Sequence, residues 1–99
     1  MRRYGLVIGC GTAEFDAERI ETLLNCHAGW EEVCVVRSPK KRQEIVTAQT
    51  TLFSKMKPED FLFVYYAGHA ALVSHQTTLE LTLGEETYPA VNLVNVSTG

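Results

Sequence analysis

No stretch of this 99-residue sequence approaches the roughly 20 consecutive apolar residues that a helix needs to span a bilayer. The start Met1-Arg2-Arg3 leads only into the short run Leu6-Val7-Ile8, whereas a signal peptide needs a longer one followed by a small-residue cleavage site. The expectation is a cytosolic protein with no membrane partner. Cysteine is also sparse: Cys10, Cys26 and Cys34 are the only three, and none is in the CxxC spacing of zinc or redox sites. An odd count is poor material for a disulfide framework, so reduced thiols are expected. Excess positive charge is lacking too. With a net charge of −3 the chain has no general attraction for nucleic acid, and its one basic cluster, Arg37, Lys40, Lys41 and Arg42, reads as a solvated helix start. Internal repeats, low-complexity tracts and linkers are absent.

What is there is 45% hydrophobic content at low net charge, the composition of one small folded domain over residues 1–99. Tyr4 to Gly9 is a short apolar run of the kind found in strands covered on both faces. From Asp16 the period changes. Ala17, Ile20, Leu23, Leu24 and His27 recur at three and four, which predicts an amphipathic helix with Asp16 as its N-cap. Ala28-Gly29 stops it, and Val33-Cys34-Val35-Val36 reads as a second buried strand.

Ser38-Pro39 predicts the next helix start, since serine caps well and proline suits the first helical position. Ile45, Ala48, Leu52, Phe53 and Met56 form its apolar stripe, and Lys57-Pro58 ends it. Phe61 to Ala67 is the most apolar segment and the third strand. Strands alternating with helices of this length predict an α/β fold with a doubly wound, mostly parallel sheet and flanking helices. Beyond it, Thr77 to Leu83 alternates like an exposed strand or hairpin arm, Gly84-Glu85-Glu86 suits a turn, and Val91 to Val96 suits a strand or a tail.

In an open α/β sheet, ligands bind beyond the carboxyl ends of the strands where strand order reverses. Right-handed crossovers and a 2-1-3 order bring the ends of strands one and three together there. The loops to watch are Gly9 to Phe15 and Gly68 to Ser74. His69, two residues past the third strand, is placed for general-base work on a neighbouring thiol, and also has the plainer reading of a surface loop residue. Gly68 permits an unusual backbone turn before it. Gly9-Cys10-Gly11-Thr12 follows a strand but has neither GxGxxG nor a P-loop lysine, so nucleotide binding is not expected. His27, His69 and His75 have no carboxylate or cysteine at ligand spacing beside the latter two, so neither a metal nor another cofactor is expected. Trp30, Tyr65 and Tyr66 read as packing residues.

The segment Asp60-Phe61-Leu62-Phe63-Val64-Tyr65-Tyr66-Ala67-Gly68-His69 resembles the histidine segment of the caspase, metacaspase and bacterial caspase-like cysteine peptidases. There an acidic residue, an apolar strand and a Tyr-x-Gly-His turn precede the catalytic site. Tyr4-Gly5-Leu6-Val7-Ile8-Gly9 is similar to that family's first strand, Asp16-Ala17 to its helix start, and Gly29-Trp30-Glu31-Glu32-Val33 to the turn into its second strand. The likeness covers about residues 3 to 75, in the family's order.

The resemblance implies that His69 is the base of a Cys-His dyad hydrolysing a peptide or protein substrate. It also implies that the residue after it, Ala70 here where the family has glycine, offers an oxyanion-holding N–H beside the Gly68 turn. Asp16 is a candidate edge of the specificity pocket, beside its plainer role as a helix cap. The family's nucleophile lies roughly 50 residues beyond the histidine. This sequence runs 30 residues past His69 without a further cysteine, so the expectation is the histidine half of the site, inactive without a cysteine-bearing remainder, second chain or homodimer partner. Cys26 and Cys34 fall in a helix and a strand as inert hydrophobes. Cys10 closes the first strand and is a candidate thiol facing His69. Two other accounts are an inactive caspase-like module that binds or regulates a partner, and a small flavodoxin-like binding domain.

Overall fold

The computed structural model describes residues 1–27, 29–73 and 78–93. Seven-residue β1 (Arg3–Gly9) leads through a 3₁₀ turn (Gly11–Ala13) into α1 (Glu14–Asn25), then β2 (Trp30–Arg37), α2 (Arg42–Phe53) and β3 (Phe61–Ala67). A hairpin of β4 (Ala70–Val73) and β5 (Thr78–Thr82), the short β6 (Thr87–Pro89) and a 3₁₀ turn (Ala90–Leu93) complete the described chain. The first three strands form a parallel sheet in the order β2-β1-β3, and β4-β5-β6 form a separate antiparallel sheet. Over the described residues the protein is thus α/β, with two helices and two small sheets, one of them parallel.

β1 lies at the centre, and its alternation divides the core. Val7 faces Ala17 and Leu24 of α1, with Ile20, Val33, Val35, Phe63 and Tyr65 packed around them. Tyr4, Leu6 and Ile8 face the other way, onto Ile45, Ala48 and Leu52 of α2 and onto Leu81, Leu83, Tyr88 and Leu93 from the second sheet and the turn after it. A strand buried on both sides has to be apolar at every position, which is why Tyr4 to Gly9 shows no alternation. Trp30 and Phe63 meet edge to face at 6.1 Å on the α1 side, where Gly5 of the intervening strand carries no side chain.

Several local expectations are corrected. Ala13, not Asp16, is the N-cap of α1: the 3₁₀ turn starts the winding earlier, leaving Asp16 exposed in the first turn beside Glu14. Leu23 is 54% exposed, because the face toward the sheet runs Ala17-Ile20-Leu24, and His27 lies exposed beyond the helix end. Ser38 does not cap α2. That helix starts at Arg42 after Lys41, where the Glu44 carboxylate accepts the N–H groups of Lys40 at 2.7 Å and Lys41 at 3.1 Å.

Gln49 joins the α2 face that the apolar stripe had marked. It donates to the carbonyls of Asn92 at 2.7 Å and Leu93 at 2.8 Å, and accepts from the Tyr88 hydroxyl. Val91 to Leu93 is therefore 3₁₀ turn, not strand. Residues 94–96, His75, Ser74 and Ala28 lie outside the described residues. No helix among the described residues is long and apolar enough to cross a membrane.

Candidate functional site

The three parallel strands end in one row. Gly9 is level with Arg37 of β2 and Ala67 of β3, so Cys10, Ser38 and Gly68 form a ledge at the carboxyl edge of the sheet. Two hydrogen bonds extend the ladders onto it, from Cys10 N–H to Ala67 C=O at 2.9 Å and from Ser38 N–H to Gly9 C=O at 2.6 Å. Two glycines set its shape. A Cβ on Gly9 would stand 2.6 Å from the Ala17 Cβ, so glycine there lets the first turns of α1 close on the end of β1. Gly68, at φ +158°, has no room either: a Cβ would meet the Tyr66 hydroxyl at 2.7 Å and the Cys10 Cβ at 3.1 Å.

Above the ledge is an open cleft of about 360 Å³ whose walls include Cys10, Thr12, Ser38, Lys40, His69 and Thr82. His69 and Cys10, separated by most of the sequence, thus face one cavity at the carboxyl ends of parallel strands, where α/β sheets bind ligands. Gly68 and Ala70 flank His69 and are exposed, and Asp16 is not part of the lining. The backbone at Ala70 is oriented by the hairpin. Ala70 lies opposite Leu81, and Thr82 N–H donates to His69 C=O at 2.9 Å, which makes Ala70 and Leu81 a non-hydrogen-bonded pair. The Ala70 N–H therefore points away from β5.

Two walls were not anticipated. Ser38 adopts a positive φ of 43°, and its hydroxyl donates to Glu14 at 2.7 Å while accepting the Gly11 N–H at 3.1 Å. A single side chain thereby ties the loop after β2 to the one after β1. The serine was visible in the sequence, but Ser-Pro is equally a helix start and nothing local distinguishes the two. The other wall is the β5–β6 turn. Gly84 N–H donates to Pro39 C=O at 2.9 Å and Glu85 N–H to Lys40 C=O at 2.8 Å, while Arg42 N–H donates to the Glu86 carboxylate at 2.9 Å. The basic cluster is therefore partly engaged in docking this turn, rather than wholly solvated.

The electrostatics bear on Cys10 and its neighbour Tyr66. Burial pushes the Cys10 thiol up, nearby Glu14 adds to the rise, and a hydrogen bond with Tyr66 opposes it. Burial likewise pushes the Tyr66 phenol up, so that it stays a neutral donor, with its hydroxyl 2.8 Å from His69 C=O and 2.9 Å from Thr82 C=O. Cys34 is raised by burial as well, and Cys26 is an exposed free thiol. Among the described residues no group of three His, Cys, Asp or Glu side chains gathers closely enough to hold a metal ion. No family model, curated protein or solved structure matches the chain.

Proposed function

We propose that the chain is the N-terminal, histidine-bearing portion of a caspase-like cysteine endopeptidase domain, with His69 as the base of a Cys-His dyad. The observation that carries the reading is the place of His69. It is the second residue beyond β3, in a cleft at the crevice where a 2-1-3 order reverses. Helices on opposite faces of the sheet support a doubly wound fold.

In this role the imidazole takes a proton from an incoming thiol, the thiolate attacks the substrate carbonyl, and the imidazolium returns the proton to the leaving amine. The Ala70 N–H, free of β5, is the donor this chain would turn toward the oxyanion. Cys10 is a poor nucleophile for the same chemistry, because burial, with Glu14 nearby, raises its thiol. The nucleophile of this reading is therefore supplied by a cysteine-bearing remainder or second chain, and the peptide substrate lies across the Cys10–His69 cleft.

The test begins with the coding sequence beyond residue 99, where the reading expects a strand ending in Asp-x-Cys followed by small residues. The extended chain should then hydrolyse members of a peptide library, with His69→Ala lowering kcat/KM by about 10²-fold or more. A stop codon at that point, with no hydrolysis when candidate cysteine-bearing chains are added, overturns the peptidase reading. The raised Cys10 and Cys34 thiols favour a second reading in that event, an inactive module whose cleft holds a partner's peptide without cleaving it.

A further inference from the structure

The hairpin that follows His69 begins irregularly. Ala70 lies opposite Leu81, so the rung before it would join His69 to Thr82 through two hydrogen bonds, one in each direction. The first is present, from Thr82 N–H to His69 C=O at 2.9 Å. In place of the second, the Thr82 C=O that would receive His69 N–H receives the Tyr66 hydroxyl, at 2.9 Å. The same hydroxyl stands 2.8 Å from His69 C=O. A phenol has a single proton, so it serves both carbonyls as a three-centre donor. A side chain of β3 thereby reaches across its own turn to the histidine and to the end of β5.

We propose that Tyr66 is a positioning residue of the site, its hydroxyl holding the His69–Ala70 peptide so that the imidazole base and the oxyanion donor keep one fixed relation. The far end of this side chain is anchored. The Tyr66 ring packs with the core on the α2 side, and its backbone is level with Ile8 of β1. In a trans peptide the C=O and the following N–H point in opposite directions. Holding His69 C=O toward Tyr66 and Thr82 therefore turns Ala70 N–H the other way, and Ala70 N–H is the group that the peptidase reading gives to the oxyanion. The catalytic part of the role rests on that reading, whereas the hold on the peptide does not.

Gly68 belongs to the same arrangement. A Cβ there would stand 2.7 Å from the Tyr66 hydroxyl and 3.0 Å from Tyr66 Cζ, so the glycine leaves open the path by which the phenol crosses the turn. Tyrosine and glycine thus depend on each other, two residues apart, with the histidine next in the chain. Burial pushes the phenol up, so it stays a neutral donor through the range of about pH 5 to 8 in which an imidazole titrates. The peptide is then held alike whether the base carries its proton or not.

Two measurements use the 99-residue chain itself. In Tyr66→Phe, nitrogen-15 relaxation should show the Ala70 amide falling from a rigid order parameter of about 0.85 to below about 0.6, with the β1 amides unchanged. Gly68→Ala should lower the folding equilibrium constant about fivefold less on the Tyr66→Phe background than alone, because no hydroxyl then opposes the added methyl. Should Tyr66→Phe not fold, Gly68→Ala displaces the same hydroxyl and should loosen Ala70 in its place. In the cysteine-bearing extended chain, Tyr66→Phe should lower kcat about 10-fold with KM within about twofold, since the oxyanion exists only in the transition state. A merely structural residue would change the fraction folded and leave the kcat of the folded enzyme as it was. An Ala70 amide that stays rigid, or a cycle without coupling, overturns the hold on the peptide. A loosened Ala70 with kcat unchanged overturns the catalytic part alone, and a loosened Ala70 in a chain whose extended form hydrolyses nothing sinks the peptidase reading while the hold stands.

Discussion

Cys10 and His69 share a cleft, and burial raises the Cys10 thiol, with Glu14 nearby adding to the rise. Since the thiolate is the reactive form, Cys10 should alkylate more slowly than free cysteine at pH 7, with its rate rising at higher pH than for the free amino acid. Iodoacetamide labelling followed by mass spectrometry measures this, and a rate above that of free cysteine would reinstate Cys10 as a nucleophile. Tyr66→Phe removes the one hydrogen bond that opposes the rise, and should slow Cys10 labelling further. Gly68→Ala must push aside the Tyr66 hydroxyl and the Cys10 side chain, so it should cost about 1–3 kcal/mol in urea unfolding. His69 and Gly68 were legible as residues because Gly-His follows an apolar run. Ser38 was not, since the positive φ that makes it a cleft wall depends on partners in two other loops.

Among the elements, the three parallel strands and both helices could be read from period and composition, and β3 has the limits its apolar run suggested. The helix caps were each missed by three residues, Asp16 for Ala13 and Ser38 for Lys41. A cap is decided by which backbone N–H groups find an acceptor, and here Glu44 offers a better one than Ser38. The N–H groups of Lys40 and Lys41 hold the Glu44 carboxyl below its usual range. A depressed folded pKa stabilises the fold above the unfolded carboxylate pKa of about 4.3 and loses that contribution as pH falls through the lower folded value. Glu44→Gln should therefore flatten the acid limb of the stability curve, measured by denaturation between pH 2 and about 6. The buried amide of Gln49 holds the turn after β6 onto α2, and Gln49→Leu would leave two carbonyls and the Tyr88 hydroxyl without this partner. The expected loss is about 2–4 kcal/mol in urea unfolding, with the Ala90–Leu93 turn released first in hydrogen exchange.

At the scale of the molecule, everything is organised about β1, which pairs on both edges and is covered on both faces. Its amides should exchange most slowly, and Leu6→Ala should cost about 2–5 kcal/mol, a large part of the 5–15 kcal/mol typical of a domain. An exchange map with β2 slower than β1 would contradict this account. The sequence by itself determined the alternation of strands and helices, the central place of the first strand and the position of His69 just past the third. Those follow from local period and from the rule that parallel strands cross over right-handed. The tertiary structure alone decided that Cys10, Ser38, Lys40 and Thr82 join His69 around one cleft, and that the Tyr66 hydroxyl reaches the carbonyls of His69 and Thr82. These are matters of register and of contact between distant segments, where a shift of a single residue turns every group to the opposite side.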